Sequence, residues 1–151
     1  MTLHIRSPDI EELPDLSELC LRSKAVWGYD AAFMAACRAE LTLKPEDLAS
    51  SRIAVAARGD EVVGVAQVKL VGRDADLQKL FVEPAALHGG AGKALFAWAI
   101  NAARELGAVR MTIEADPDAV PFYRRLGARD IGFAPSGSIA GRMLPKLVLD
   151  L

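Results

Sequence analysis

Apolar residues near the N-terminus recur at intervals of three and four, and beyond residue 51 at intervals of two, so the chain changes element type after its first third. Residues 2–6 alternate briefly and predict a first strand. Ser7-Pro8-Asp9 then predicts a helix start, with Ile10, Leu13, Leu16, Leu19 and Cys20 following at helical spacing. A second helix is predicted over 30–41, with Phe33, Met34, Cys37 and Leu41 on one face. Pro45 closes that region, and residues 46–49 add a turn. Residues 52–58 and 61–71, separated by Gly59-Asp60, predict a β-hairpin. Gly72-Arg73-Asp74 leads into a strand over 75–82, which Pro84 ends because proline cannot donate to a ladder.

The longest helix is predicted over 90–106. Leu95, Trp98, Ala102 and Leu106 line one face, and Phe96, Ile100 and Ala103 form a second stripe, so this helix lies buried on a sheet. Gly107 follows it as a left-handed cap. A short strand over 110–115 precedes a helix over 119–126. Asp118 serves as its N-cap, Pro121 sits in its first turn and Gly127 is its stop. Strands over 128–134 and 143–149 flank a Ser/Gly loop. The order is strand, two helices, three strands, helix, strand, helix and two strands: a mixed α/β sheet with helices on both faces.

Composition narrows the class. The 151 residues are 52% hydrophobic and 25% charged, and no repeat or long linker divides them, so residues 1–151 are expected to form one globular domain. A net charge of −2 without a basic run disfavours a nucleic-acid partner. No apolar run approaches the roughly 18 residues of a membrane span. Cys20 and Cys37 lack metal-ligand spacing and fit buried thiols in a reducing compartment. The expectation is a cytoplasmic protein without membrane association or bound metal; a homodimer is compatible with it.

Chemistry concentrates in residues 80–95, where a strand stops, a glycine-rich turn follows and a long helix begins. Unpaired N–H groups at a helix start carry partial positive charge, and glycines let an anion approach them. Leu87, His88, Gly89, Gly90, Ala91, Gly92 and Lys93 thus form a candidate phosphate cradle. The nucleotide-loop pattern Gly-x4-Gly-Lys-Ser/Thr is absent, and Leu95 stands where a dinucleotide fingerprint needs its third glycine.

Leu80-Phe81-Val82, Pro84, Gly90, Gly92 and Leu95 resemble the Leu-x-Val-x-Pro…Gln/Arg-x-x-Gly-x-Gly/Ala motif of the GNAT N-acetyltransferase superfamily. Leu87 and His88 depart from that pattern. Downstream, Ala119, Phe122, Tyr123 and Gly127 match Asn-x-x-Ala-x-x-Phe-Tyr-x-x-x-Gly-Phe, with Asp116 in place of the asparagine and Ala128 in place of the final phenylalanine. The resemblance implies a twisted, mostly antiparallel sheet of about 6–7 strands with acetyl-CoA as cosubstrate. It also implies cofactor contacts by the strand Leu80–Val82, the loop, Asp116 and Phe122. A strand N–H would polarise the thioester, and Tyr123 would protonate the leaving thiolate, since a phenol of pKa about 10 stays protonated at neutral pH.

For the amine proton, Asp76 is the first base candidate and Glu114 the second. Two-residue alternation puts Asp76 on one face with Gln78, Leu80 and Val82. His88 lies on the cofactor side and reads as a loop-surface histidine. Trp27 and Tyr29, in the loop between the first helices, either face the acceptor or cap a core edge. The function implied is direct acetyl transfer to a small-molecule amine. The alternative is a CoA-binding regulatory domain of the same fold without chemistry.

Overall fold

A computed structural model describes residues 2–151. Seven strands form one sheet in the order β1-β2-β3-β4-β5-β7-β6, where β1 is Leu3–Arg6, β2 Arg52–Arg58, β3 Glu61–Val71, β4 Asp74–Val82, β5 Arg110–Glu114, β6 Arg129–Pro135 and β7 Met143–Asp150. All neighbours run antiparallel except β4 and β5. That parallel pair requires a crossover, and the long helix α4 (Ala91–Glu105) supplies it.

Helices cover both faces, so the central strands lose the polar/apolar alternation of a half-exposed sheet. Residues 53–57 of β2 and 63–68 of β3 are buried without interruption. On one face lie α1 (Leu13–Ala25) and α2 (Ala31–Leu41), whose Leu16, Cys20, Cys37 and Leu41 pack on Ile53, Val55 and Val65. Both cysteines are free and buried, as expected of small apolar residues. The other face receives α4. Its Leu95, Phe96, Ala99, Ala102 and Ala103 are buried, and Trp98, Ile100 and Leu106 pack at the margins. Burying side chains of the size of Leu95 and Phe96 stabilises the fold by about 1.5–3 kcal/mol each.

Several boundaries differ from the sequence expectation for local reasons. The first helical stretch opens as a 3-10 turn, Ile10–Glu12, held by the Glu12 carboxylate accepting from Asp9 N at 2.9 Å. Residues 47–50 form a one-turn helix, α3 (Asp47–Ser50). Asp118 is not the N-cap of the last helix. Asp116 accepts from Asp118 N at 3.2 Å and caps a 3-10 turn, Pro117–Ala119, which runs into α5 (Val120–Arg125). Pro121 does occupy the first turn of α5. Gly107 adopts a positive φ of 82°, as a helix-terminating glycine should.

The more consequential correction is a bulge. In the β3–β4 ladder Val68 pairs with Leu77 and Gln67 with Lys79, which leaves Gln78 as an extra residue. The bulge reverses alternation beyond Leu77. Asp76 therefore shares the α1–α2 face with Lys79 and Phe81, while Leu80 and Val82 turn toward α4. The expected grouping of Asp76 with Gln78, Leu80 and Val82 does not hold.

Gly64 sets how closely α4 approaches the sheet. A Cβ there would lie 2.8 Å from Leu95 Cδ1 and 3.1 Å from the Phe81 carbonyl oxygen. Gly64→Ala is expected to destabilise the protein by about 1–3 kcal/mol through overpacking, read as a lower urea midpoint at unchanged m-value.

Candidate active site

The parallel β4–β5 ladder ends at Leu77↔Ile113. Beyond that pair β4 continues to Val82 bonded only to β3, while β5 stops at Glu114 and Ala115 N is drawn to the Pro145 carbonyl at 2.9 Å. The two strands part, and the β5-side backbone edge of residues 78–82 faces a groove of about 780 Å³. Its walls include Phe122 and Tyr123 from the α4 face and Cys37 and Leu41 from the α2 face, so the groove passes through the sheet.

At one end lies the glycine-rich turn. The first intrahelical bond of α4 is Ala94 N to Gly90 O at 3.0 Å, so the N–H groups of Ala91, Gly92 and Lys93 have no intrahelical acceptor. Gly90 supplies the left-handed conformation before the helix, φ 88°, which a residue with a Cβ rarely adopts. His88 also has a positive φ, 67°. A Cβ on Gly92 would touch the Phe122 ring at 3.4 Å and Val82 at 3.7 Å, so its absence keeps the backbone open. Leu87, His88, Gly90, Ala91, Gly92 and Lys93 line the groove, and so do Leu80, Phe81, Val82, Asp116 and Phe122. Gly89 does not; its carbonyl accepts from Arg58 instead. Lys93 and Arg125 line this end without forming an ion pair among the described residues.

A family model for the acetyltransferase (GNAT) domain matches residues 17–136. The chain belongs to the GNAT acetyltransferase family. Solved structures with the same fold include the PaiA N-acetyltransferase of Thermoplasma acidophilum in complex with coenzyme A, at TM-score 0.83 and 18% identity over 100% of both chains. A GCN5-related N-acetyltransferase of Rhodopseudomonas palustris aligns at TM-score 0.81 and 19% identity, covering 100% of this chain and 97% of that one. YncA of Salmonella typhimurium, solved with acetyl-CoA, aligns at 0.71 and 19% identity over 99% and 94% of the two chains. A search of curated proteins gives no match.

In this GNAT chain Tyr123 is buried and lines the groove. Phe122 and Phe96 hold its ring, with centroids at 5.1 and 5.7 Å. Burial pushes its hydroxyl above the ordinary phenol range, so it stays protonated. On the opposite side of the groove Asp76 and Glu114 line the wall from adjacent strands. Burial raises the Asp76 carboxyl, with hydrogen bonds from Thr112, at 3.1 Å, and Gln78 opposing it. Burial also raises Glu114, and the Asp76 charge adds to that. Lys79, which sequence reasoning passed over, is buried on this wall with its ammonium 3.0 Å from Gln67 Oε1; burial lowers its pKa.

The two aromatic candidates separate. Trp27 lines the groove, 44% exposed. Tyr29 does not; it stacks on Phe33 at 4.0 Å, donates its hydroxyl to Asp116 and accepts from Arg142 at 2.6 Å. Lys24, Glu40, Ser138 and Arg142 also line the groove. They converge from two stretches far apart in the chain, residues 24–40 and 138–142.

The raised Asp76 carboxyl has a stability consequence. A folded-state pKa above the unfolded value means the native state binds the proton more readily, so stability declines as pH rises from the unfolded toward the folded pKa and stays reduced above it. Asp76→Asn is therefore expected to raise the melting temperature at pH 7–8, with the gain vanishing at acid pH where Asp76 is protonated. Melting curves across pH test this directly.

Proposed function

We propose that the protein is an N-acetyltransferase that passes the acetyl group of acetyl-CoA directly to an amine held at the α2 side of the groove. The observation that carries this reading is the groove itself. It joins an unpaired helix start, an open strand edge, a protonated phenol and two proton-accepting carboxylates within one continuous cavity. The residues fit the cosubstrate. The N–H groups of residues 91–93, with Lys93 and Arg125, suit a diphosphate, and the free edge of residues 78–82 suits the pantetheine amides, which can add to it like a strand.

The chemistry follows from the groups present. An alkylammonium has no lone pair, so a carboxylate must first take its proton. Asp76 is the base in this reading, and Glu114 beside it is the second acceptor; a raised carboxyl pKa makes each a better base than an ordinary aspartate or glutamate. The amine nitrogen then attacks the thioester carbonyl carbon, forming the C–N bond as the C–S electrons leave on sulfur. A strand N–H of residues 80–82 stabilises the oxyanion between those events. The second amine proton leaves to solvent or the base. The thiolate takes a proton from Tyr123, or is stabilised by its hydrogen bond, and the phenol is restored from water. The sum is ammonium plus thioester giving amide, free thiol and one proton.

Calorimetry with coenzyme A tests the cradle: a single site is expected, and Gly92→Val is expected to weaken it at least tenfold (about 1.4 kcal/mol) by filling the space before Phe122. No heat of binding with the wild-type protein would end the assignment. Thiol release from acetyl-CoA tests the acid. Tyr123→Phe is expected to lower kcat by about a hundredfold or more while the CoA Kd stays within about twofold. An unchanged kcat removes Tyr123 from the mechanism.

A further inference from the structure

Two cations share one carboxylate in the wall of the groove. Lys24 Nζ lies 3.8 Å and Arg142 3.6 Å from the same oxygen of Asp116, with side-chain exposures of 16%, 19% and 10% for Lys24, Arg142 and Asp116. Asp116 cancels one of the two charges. The hydroxyl that completes the cluster belongs to Tyr29, which is neutral, because burial and then Asp116 push its pKa up to about 12. No other carboxylate comes within ion-pair distance of Lys24 or Arg142 among the described residues. The Tyr29 and Phe33 rings lie under both cations, 5.5 and 5.9 Å from Lys24 Nζ and 5.1 and 4.9 Å from Arg142 Cζ, but bring no negative charge. The cluster thus keeps one net positive charge, largely withdrawn from water.

The donor count agrees. Arg142 has five N–H donors and uses one, to Tyr29; Lys24 has three and makes no hydrogen bond among the described residues. Both side chains border the groove, as does Asp116. The opposite charge sits nearby on the same wall. Glu114 precedes Asp116 by two residues, roughly 7 Å of extended chain, and Asp76 pairs with Thr112, two residues before Glu114, on the neighbouring strand. The acceptor end is therefore bipolar, with proton-accepting carboxylates and a cationic pair lining one groove.

We propose that the acceptor is an amine that also carries an anionic group on a short skeleton, an amino acid in its chemistry, whose carboxylate docks on Lys24 and Arg142 while its amine meets Asp76 and Glu114. This assignment rests on reading the groove as the transfer site. A simple diamine would place its second ammonium against Lys24 and Arg142 and be repelled. The carboxylate instead neutralises the excess charge with charge-assisted hydrogen bonds, and it fixes which nitrogen faces the thioester.

The test compares matched pairs in a thiol-release assay with acetyl-CoA: lysine against cadaverine, phenylalanine against phenethylamine, methionine against 3-(methylthio)propylamine. The carboxylate-bearing member of at least one pair is expected to show the higher kcat/KM. For that amino acid, Lys24→Gln and Arg142→Gln are each expected to raise KM by roughly tenfold or more, with kcat little changed. Arg142→Lys, which keeps the charge, recovers part of the loss. Calorimetric CoA affinity and the melting temperature of each variant verify the fold and separate this anion from a phosphate of the cofactor. The proposal is overturned by preference for the decarboxylated members, or by unchanged KM in both Gln variants. A loss confined to CoA affinity, or no turnover of any panel member by protein that binds acetyl-CoA, overturns it equally. Failure to bind CoA at all sinks the groove reading first.

Discussion

A β-ladder that stops while one of its strands continues leaves main-chain donors and acceptors without partners, and a sheet does not do this at its centre without a reason. Here the parallel pairing of β4 and β5 ends at Leu77 and Ile113, yet β4 runs on to Val82 in the middle of a seven-stranded sheet. Among the described residues no further strand pairs with the edge so exposed. Buried polar backbone needs a partner, and a ligand with amides of its own can supply one where protein does not. Every other element of the site is arranged about that opening. The α4 crossover starts at its one end, α5 brings Tyr123 to its side, and α1 and α2 close it from the opposite face.

The bulge at Gln78 matters for the same reason. By taking up one extra residue where the pairing with β5 ends, β4 changes which side chains face which layer. Before it, Leu77 packs on the α4 side; after it, Leu80 and Val82 do so, and Lys79 and Phe81 face α1 and α2. Asp76 consequently stands with Thr112 and near Glu114 on the α2 side, where burial raises both carboxyls. Tyr123 comes from the α4 side, where burial raises its phenol. The groove thus has carboxylates on one side of the sheet and a phenol on the other, with the open strand between them.

Most of this architecture could be read from residue order. Gly90, Gly92, Gly107 and Pro121 each constrain the backbone locally, so turn, helix start, cap and first turn were assigned where the structure has them. The α4 stripes and the β2–β3 hairpin were equally readable, because their signal is periodic over many residues. The errors came where the governing contact is not local. Strict alternation misplaced Asp76 because nothing in residues 74–82 announces a bulge. Asp118 reads as a cap from sequence because the competing 3-10 turn depends on Asp116 alone. Lys24 and Arg142 look like any surface cations until the fold sets both beside residue 116.

Asp116 shows how a departure from a family motif can be explained by its surroundings. The pattern this chain resembles has asparagine there, a side chain that offers hydrogen bonds without charge. In this fold the position receives an ammonium and a phenolic hydroxyl from residues 24 and 29 and a guanidinium from residue 142, and one oxygen of the carboxylate faces all three. An uncharged amide would leave two cations mostly buried and unneutralised, a heavier penalty than the single excess charge the carboxylate leaves. The aspartate and its basic neighbours are therefore best understood as one unit. Its other oxygen meanwhile caps the turn into α5, so the charge of this wall of the groove is tied to the helix that carries Tyr123.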